Sequence, residues 1–264
     1  MSQRLVPDEL WALVEPLIPG FTARPQGGGT TPVDDRAVFT AIVFVLTSGC
    51  QWRLLPPSFG VTVPTAHRRF TDWTKAGLWR RMHRAVLDEL GTQGLIDWSR
   101  AVLDGASVRA KKGGTMTGRN PVDRGKPGSK IHVLTDRHGI PLSVAVSGAN
   151  THDSQALKPL VMAIPAIRSR RGRRRKPDKL HGDKAYESRK LREWVRDRGI
   201  GVRIARKGIE SSERLGRHRW VVERTIAWTF NYRRLAMRYE RHGANFCAFL
   251  TLAAALTCYK KLPT

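Results

Sequence analysis

Three acidic residues have types and spacing that could support phosphoryl-transfer chemistry. Asp104 and Asp183 each follow a short apolar stretch that reads as a strand, and Glu223 lies within a helical stretch, 217–235. Cleavage of a phosphodiester needs two hard cations, about 3.5–4 Å apart, that bridge the attacking and leaving oxygens. Mg²⁺ prefers oxygen ligands and keeps several waters, so a few carboxylates suffice. We therefore predict that Asp104, Asp183 and Glu223 are catalytic and hold two Mg²⁺ ions, which Mn²⁺ could replace.

Each candidate acid competes with a simpler interpretation. Glu223 has Arg219 at i−4 and Arg224 at i+1, and a surface ion pair of this kind would contribute only about 0.3–0.5 kcal/mol. Asp136 begins the sequence Asp-Arg-His-Gly, which is typical of a hairpin turn. Asp153 precedes a helical stretch and is most simply an N-cap. These two acids are therefore not placed in the site.

Composition favours a polyanionic partner. The 264 residues contain 47 Lys and Arg against 22 Asp and Glu, which gives a net charge of +25. Such an excess predicts binding to nucleic acid, and no Lys-rich amphipathic helix supports the alternative of a membrane surface. Three dispersed cysteines predict a reducing cytoplasm. The eight His residues lack the spacing of a zinc hydrolase, and no phosphate-binding or dinucleotide fingerprint occurs.

The order of elements predicts two domains, 1–94 and 95–264. The first is all-helical, with helices expected over 7–17, 36–48, 65–75 and 78–90, in an order compatible with a helix-turn-helix reader. Many other small helical domains share that order. The second has strands and helices that predict an α/β (α+β) class, a ribonuclease-H-like mixed sheet flanked by helices. Strands are expected over 130–135, 141–147, 179–183 and 200–205, with helices over 153–167, 187–198 and 246–262.

Two basic segments are candidate DNA contacts. The third helix carries His67, Arg68 and Arg69. Residues 168–176 are all Arg or Lys except Ser169 and Gly172, and we expect a solvated loop whose charge density favours phosphate contacts. The arginines assigned to that contact are Arg170, Arg171, Arg173, Arg174 and Arg175.

Several segments resemble the IS5-family transposases of bacterial insertion sequences, over nearly the whole chain. Near the N-terminus they are 49–56 (GCQWRLLP) and 68–73 (RRFTDW). In the second domain they are 104–111, 128–135, 148–154, 183–188 and 219–228, and the first, fourth and fifth of these contain Asp104, Asp183 and Glu223. The sequence departs from related transposases around the third acid, because Gly216 stands where they often have Tyr and Phe230 where they often have Lys.

The resemblance implies an enzyme that binds the terminal inverted repeats of its own element, nicks DNA and joins the freed 3′-OH to target DNA. It implies double-stranded DNA as partner, a homodimer on DNA, and a bacterial cytoplasmic, nucleoid-associated location without a membrane. The alternative is a domesticated transposase that binds DNA without cleaving it. Residues expected to support the site or contact phosphate are Arg219, Arg224, Lys130 and His152. Candidates to replace the missing Lys are Arg224, Arg233 and Arg234.

Overall fold

The computed structural model describes residues 5–20, 33–206 and 212–263, with backbone alone over 212–219. Four helices come first: α1 (Asp8–Val14), α2 (Asp35–Ser48), α3 (Val63–Lys75) and α4 (Leu78–Thr92). The side chain of Asp34 accepts hydrogen bonds from the N–H groups of Arg36 and Ala37 and so caps α2. Gly49, with φ of 72°, ends α2, and Gly77, with φ of 73°, separates α3 from α4. The four predicted helices are therefore present.

The remaining chain alternates strands and helices. The strands are β1 (Ala101–Arg109), β2 (Gly118–Arg119), β3 (Pro127–Asp136), β4 (Pro141–Gly148), β5 (Ile167–Ser169), β6 (Gly172–Arg174), β7 (Lys179–Gly182) and β8 (Gly201–Ile204). The helices are α5 (Ser154–Ala163), α6 (Arg189–Arg196), α7 (Ser212–Phe230), α8 (Arg233–Ala236) and α9 (Gly243–Tyr259). Three expectations change. The helix after Asp153 ends at Ala163, the helical stretch expected over 217–235 is divided between α7 and α8, and the arginine-rich segment forms the β5–β6 hairpin instead of a loop.

The main sheet is mixed. Its strand order is β4–β3–β1–β7–β8, with the short β2 also pairing β3. Strand β3 runs antiparallel to its neighbours β1 and β4, whereas β7 runs parallel to both β1 and β8. This is the predicted mixed sheet flanked by helices.

The sheet has a hydrophobic core on each face, because successive side chains of a strand point to opposite sides. Val102 packs in a core with Val222 and Ile226 of α7, and the neighbouring Leu103 packs in the core that contains Leu157 of α5. Helix α7 packs against β1, β3 and β7. The first core also contains residues of α2, α3, α4 and α9. The N-terminal helices and the C-terminal helix α9 thus share one continuous core.

Candidate active site

Asp104 and Asp183 lie on adjacent parallel strands. The register between β1 and β7 pairs Ala101 with Leu180 and Val102 with His181. Two residues further along, the same register brings Asp104 level with Asp183. Strand β7 ends at Gly182, directly before Asp183, as expected. Strand β1 continues to Arg109 because β3 remains paired with it. Asp104 therefore lies inside β1 and not at its end. The strand that ends beside Asp104 is β7.

Local hydrogen bonds orient both carboxylates. The Oδ1 atom of Asp104 accepts a hydrogen bond from the Gly105 N–H at 2.8 Å. The Oδ1 atom of Asp183 accepts one from the Ala185 N–H, also at 2.8 Å, and so caps a 3₁₀ turn over 184–186. Both side chains are half-buried. Half-buried carboxylates fixed in this way are suitable oxygen ligands for a hard divalent cation.

Glu223 lies on α7, which packs over the strands that carry or adjoin the two aspartates. Asp104 shares a sheet face with Val102, the face that α7 covers through Val222 and Ile226. Glu223 follows the buried Val222 in sequence and is itself exposed. In the described part of the chain, no three His, Cys, Asp or Glu side chains lie close enough together to hold a metal ion. The three acids thus occupy packed neighbouring elements without forming a closed ligand set.

The predicted supporting residues have identified contacts. Lys130 Nζ lies 2.9 Å from Asp153 Oδ1 and donates to the Thr151 carbonyl oxygen at 3.0 Å. Asp153 occupies the predicted N-cap position of α5, but its side chain makes no capping hydrogen bond. The preceding residue, His152, accepts a hydrogen bond from the Ser154 N–H through Nδ1 at 3.3 Å. The side chain of Arg219 lies outside the described residues.

Two of the three candidates for the missing Lys are engaged within the protein. Arg224 lies between Trp220 and Trp228, with its guanidinium carbon 4.6 and 4.5 Å from the ring centroids, and donates to the His138 carbonyl oxygen. Arg234 is 3% exposed and pairs with Glu240 at 2.7 Å. Its burial leaves no surface for DNA, which corrects its assignment as a DNA contact. Arg233 is exposed and remains available.

The basic helix α3 offers two exposed candidates and one engaged residue. His67 and Arg68 are exposed. Arg69 instead forms an ion pair with Asp35 and lies over the Trp73 ring, 5.3 Å from its centroid. Burial lowers the pKa of the Arg69 guanidinium, although the charge of Asp72 opposes this effect. Arg69 therefore ties α3 to α2.

The arginine-rich hairpin is docked on α4 through Asp88. The Arg168 N–H donates to Asp88 Oδ1 at 2.6 Å, and Arg173 Nη1 lies 3.6 Å from Asp88 Oδ2. Arg174 pairs with Asp178 and lies over the Trp98 ring. The exposed arginines of this segment without such an ion pair among the described residues are Arg170, Arg171 and Arg175. Sequence analysis found the charge of this segment but missed its folded form.

Asp136 has the structural role expected of it. Its Oδ1 accepts from the N–H groups of His138 and Ile140, at 2.9 and 2.8 Å, and its Oδ2 accepts from that of Asp97 at 2.9 Å. Burial raises the pKa of this carboxyl to about 6, against the opposing effect of these hydrogen bonds. Asp136 therefore stabilises the β3–β4 turn and is occupied by backbone donors.

Comparison with known proteins identifies the class. A transposase DDE domain matches residues 94–258, and a domain of IS4/5-family transposases matches residues 6–83. The chain is thus a DDE transposase, an enzyme that cleaves and transfers DNA strands and depends on divalent metal. The predicted fold class, a mixed sheet flanked by helices, is confirmed by the strand order and the flanking helices. Within that class, the chain belongs to the IS4/5 family of insertion-sequence transposases.

The chain is similar to two curated relatives and matches one solved structure weakly. The chain is 45% identical, over 151 residues, to a transposase of insertion element IS402 from Burkholderia cepacia, covering 57% of this chain and 72% of that protein. It is 42% identical, over 123 residues, to a 16.2 kDa protein of the same element, covering 46% and 84%. The crystal structure of the Mos1 mariner paired-end complex with Mn matches with a TM-score of 0.28 at 10% identity, covering 90% of this chain and 83% of that one. Within the described ranges, no helix has the length and apolar character that crossing a membrane requires.

Proposed function

We propose that this transposase binds the terminal inverted repeats of its own element and uses Asp104, Asp183 and Glu223 to cleave the ends and join them to target DNA. The observation that carries the proposal is the register that brings Asp104 level with Asp183, on strands over which the helix of Glu223 packs. The helix that carries Glu223 packs on the sheet face that Asp104 shares with Val102. This common placement supports the proposal that the three carboxylates act together.

The two aspartates and Glu223 have different tasks in this proposal. Asp104 and Asp183 are oriented by the N–H groups of Gly105 and Ala185, so their ligand oxygens are fixed before substrate arrives. Glu223 is exposed on α7, so it meets the DNA strand from the solvent side. Two bound Mg²⁺ ions would activate the attacking oxygen and stabilise the leaving one. Arg219 and Arg233 would contact phosphate, while Lys130 of β3 and His152 of the loop after β4 would support the site.

The DNA partner follows from charge. A net charge of +25 favours a polyanion, and each phosphate contact releases counterions from the duplex. His67 and Arg68 on α3 would contact the terminal repeat, and the hairpin arginines Arg170, Arg171 and Arg175 would contact phosphate elsewhere on the duplex. Two element ends must meet, so a homodimer on DNA is proposed. The nucleoid of a bacterial cytoplasm is the corresponding location.

Substitution of the acids tests this proposal. Glu223→Gln keeps the shape of the side chain but removes its charge, so strand nicking of labelled end DNA in Mg²⁺ should fall by orders of magnitude while DNA binding persists. Asp104→Asn and Asp183→Asn should behave alike, and the double variant should lose little more than either, since the residues act as a unit.

A matched control is Glu193→Gln, which removes an exposed helix carboxylate paired with Arg189. Loss of such a surface pair costs at most about 0.5 kcal/mol and should leave nicking intact. Wild-type nicking by Glu223→Gln would remove Glu223 from the site. Wild-type nicking by all three single variants would mean that other residues cleave the DNA. The domesticated alternative would instead be supported if the wild type binds end DNA but does not nick it in Mg²⁺.

A further inference from the structure

A cleft of about 720 Å³ opens where three segments of the chain meet, well separated in sequence. Its lining comes mainly from residues 51–53, 111–112 and 239–245. None of Asp104, Asp183 and Glu223 contributes to it. Its volume lies within the range of about 300–1,000 Å³ that is usual for small-molecule sites. The first segment belongs to the GCQWRLLP sequence, for which the proposed cleavage mechanism provides no role.

The charge of the cleft is strongly positive. Glu240 is the only acid in the lining, and its carboxylate is neutralised by Arg234, at 2.7 Å. Four other cationic side chains of the lining are exposed: Arg53, Lys111, Lys112 and Arg241. Four positive charges around one concave surface attract an anion, and the walls of the cleft concentrate their field.

Aromatic side chains line the same cleft. Trp52 packs against Phe70 and Phe249, with centroid distances of 5.7 and 6.0 Å, and meets His67 edge-on at 5.3 Å. These contacts fix the orientation of its ring. Tyr239 also lines the cleft, with Lys111 Nζ 6.0 Å from its ring centroid. Fixed rings beside cations are the arrangement by which proteins stack an unpaired base and hold its phosphate.

We propose that this cleft binds a single nucleotide unit, with its base against Trp52 or Tyr239 and its phosphate among Arg53, Lys111 and Lys112. A cleft of this volume admits one nucleotide but not a duplex. The nucleotide could belong to an unpaired position in a DNA strand or be free in solution, and both share this chemistry. An unpaired nucleotide in a DNA strand as the occupant rests on the proposed DNA-cleaving function. The binding site itself does not depend on that function.

Binding measurements on the full chain test the proposal without cleavage. The protein carries Asp104→Asn and is kept in EDTA. One probe is a labelled duplex with a single unpaired terminal nucleotide, compared with a blunt duplex of the same sequence. The other probe is thymidine 5′-monophosphate, followed by calorimetry. The cleft variant is Lys111→Ser with Lys112→Ser, and the control is Lys126→Ser with Lys190→Ser, which removes two exposed charges elsewhere.

The chain should bind the unpaired end about tenfold more tightly than the blunt duplex. The cleft variant should lose that preference and the control should keep it, although both should bind duplex DNA more weakly. Monophosphate binding that the cleft variant abolishes would identify a free nucleotide as an occupant. The proposal is overturned if neither probe shows binding that depends on the cleft, or if both variants lose the preference equally. Such a failure would leave the nicking test of the three acids unaffected.

Discussion

At the scale of single residues, burial decides what the charged side chains do. Arg238 is fully buried, and its guanidinium donates to the Glu240 carbonyl oxygen at 2.8 Å, to that of Met116 at 2.9 Å and to Ser129 Oγ at 2.5 Å. Arg234 is similarly enclosed with Glu240. Removal of one partner from such a buried pair typically costs about 3–5 kcal/mol, because the other charge remains. Some of the basic residues of this chain therefore stabilise the fold and are not available to DNA.

Two buried histidines should make stability depend on pH. His83 is held by the Pro141 carbonyl oxygen at 2.8 Å, and His132 by Ser147 Oγ at 2.8 Å. Burial lowers the pKa of each imidazole to about 4. Because the unfolded chain binds protons more readily than the folded one, stability falls as pH drops from about 6.5 towards 4. At pH 5 each histidine should lower the free energy of unfolding by about 2 kcal/mol relative to pH 7.

Urea unfolding of His83→Gln at pH 7 and pH 5 checks this expectation. The difference between the two pH values should be smaller than in the wild type by about 2 kcal/mol. The raised pKa of Asp136 changes stability with pH in the opposite direction. Because Asp136 is present in both proteins, its contribution cancels in the comparison. An unchanged pH dependence in His83→Gln would mean that His83 is not buried in its neutral form.

At the scale of elements, the arginine-rich hairpin is a folded projection fixed to α4. Besides the Asp88 contacts, Gly91 of α4 lies against β5 so closely that a Cβ there would be 2.0 Å from the Arg168 carbonyl oxygen. Any larger residue must therefore push the hairpin away. A two-stranded ribbon of this size also fits the major groove of B-DNA.

The exposed arginines of the hairpin should carry its contribution to DNA binding. Replacing Arg170, Arg171 and Arg175 with Ser should weaken DNA binding and flatten its salt dependence by up to about three units of slope. The melting temperature should hold, because these side chains are exposed and form no ion pair among the described residues. Gel shifts over a range of salt concentrations and thermal unfolding provide both measurements.

A control of equal charge is Arg189, Lys190 and Arg196 on α6, all exposed and all changed to Ser. If both triple variants lose the same DNA affinity, net charge alone would explain the effect of the hairpin arginines. A collapse of the melting temperature with unchanged affinity would make the hairpin purely structural. Gly91→Ala, which leaves every charge in place, should weaken DNA binding only if the position of the hairpin matters.

At the scale of the whole molecule, one core joins the two ends of the chain. Phe70 of α3 stacks on Phe249 of α9 with centroids 4.3 Å apart, and α9 packs along α4. The boundary near residue 94 remains a prediction, but any such N-terminal domain would share its core with the C-terminal helix. We therefore expect the two segments to unfold together.

Phe249→Ala should destabilise the entire chain by about 3–5 kcal/mol, because it removes a fully buried ring from this core. Chemical unfolding followed by tryptophan fluorescence and by far-UV circular dichroism should give coincident transitions in wild type and variant. Met162→Ala, at a residue 66% exposed, should change the free energy of unfolding by less than about 0.5 kcal/mol. Two separate transitions would show independent domains instead.

The sequence by itself determined the class of fold, the order of elements and the three candidate acids. Hydrophobic period and capping are local properties, so the helix ended by Gly49 and the turn of Asp136 could be predicted from neighbouring residues. Charge also follows from sequence, and with it the expectation of DNA. The tertiary structure alone decided which charges are exposed. Arg69 and Arg234 have the same residue type as Arg68 and Arg233, but partners distant in sequence, Asp35 and Cys50, engage them. Long-range packing likewise creates the basic cleft, because its three segments are distant in sequence and meet where the N-terminal helices pack against α9.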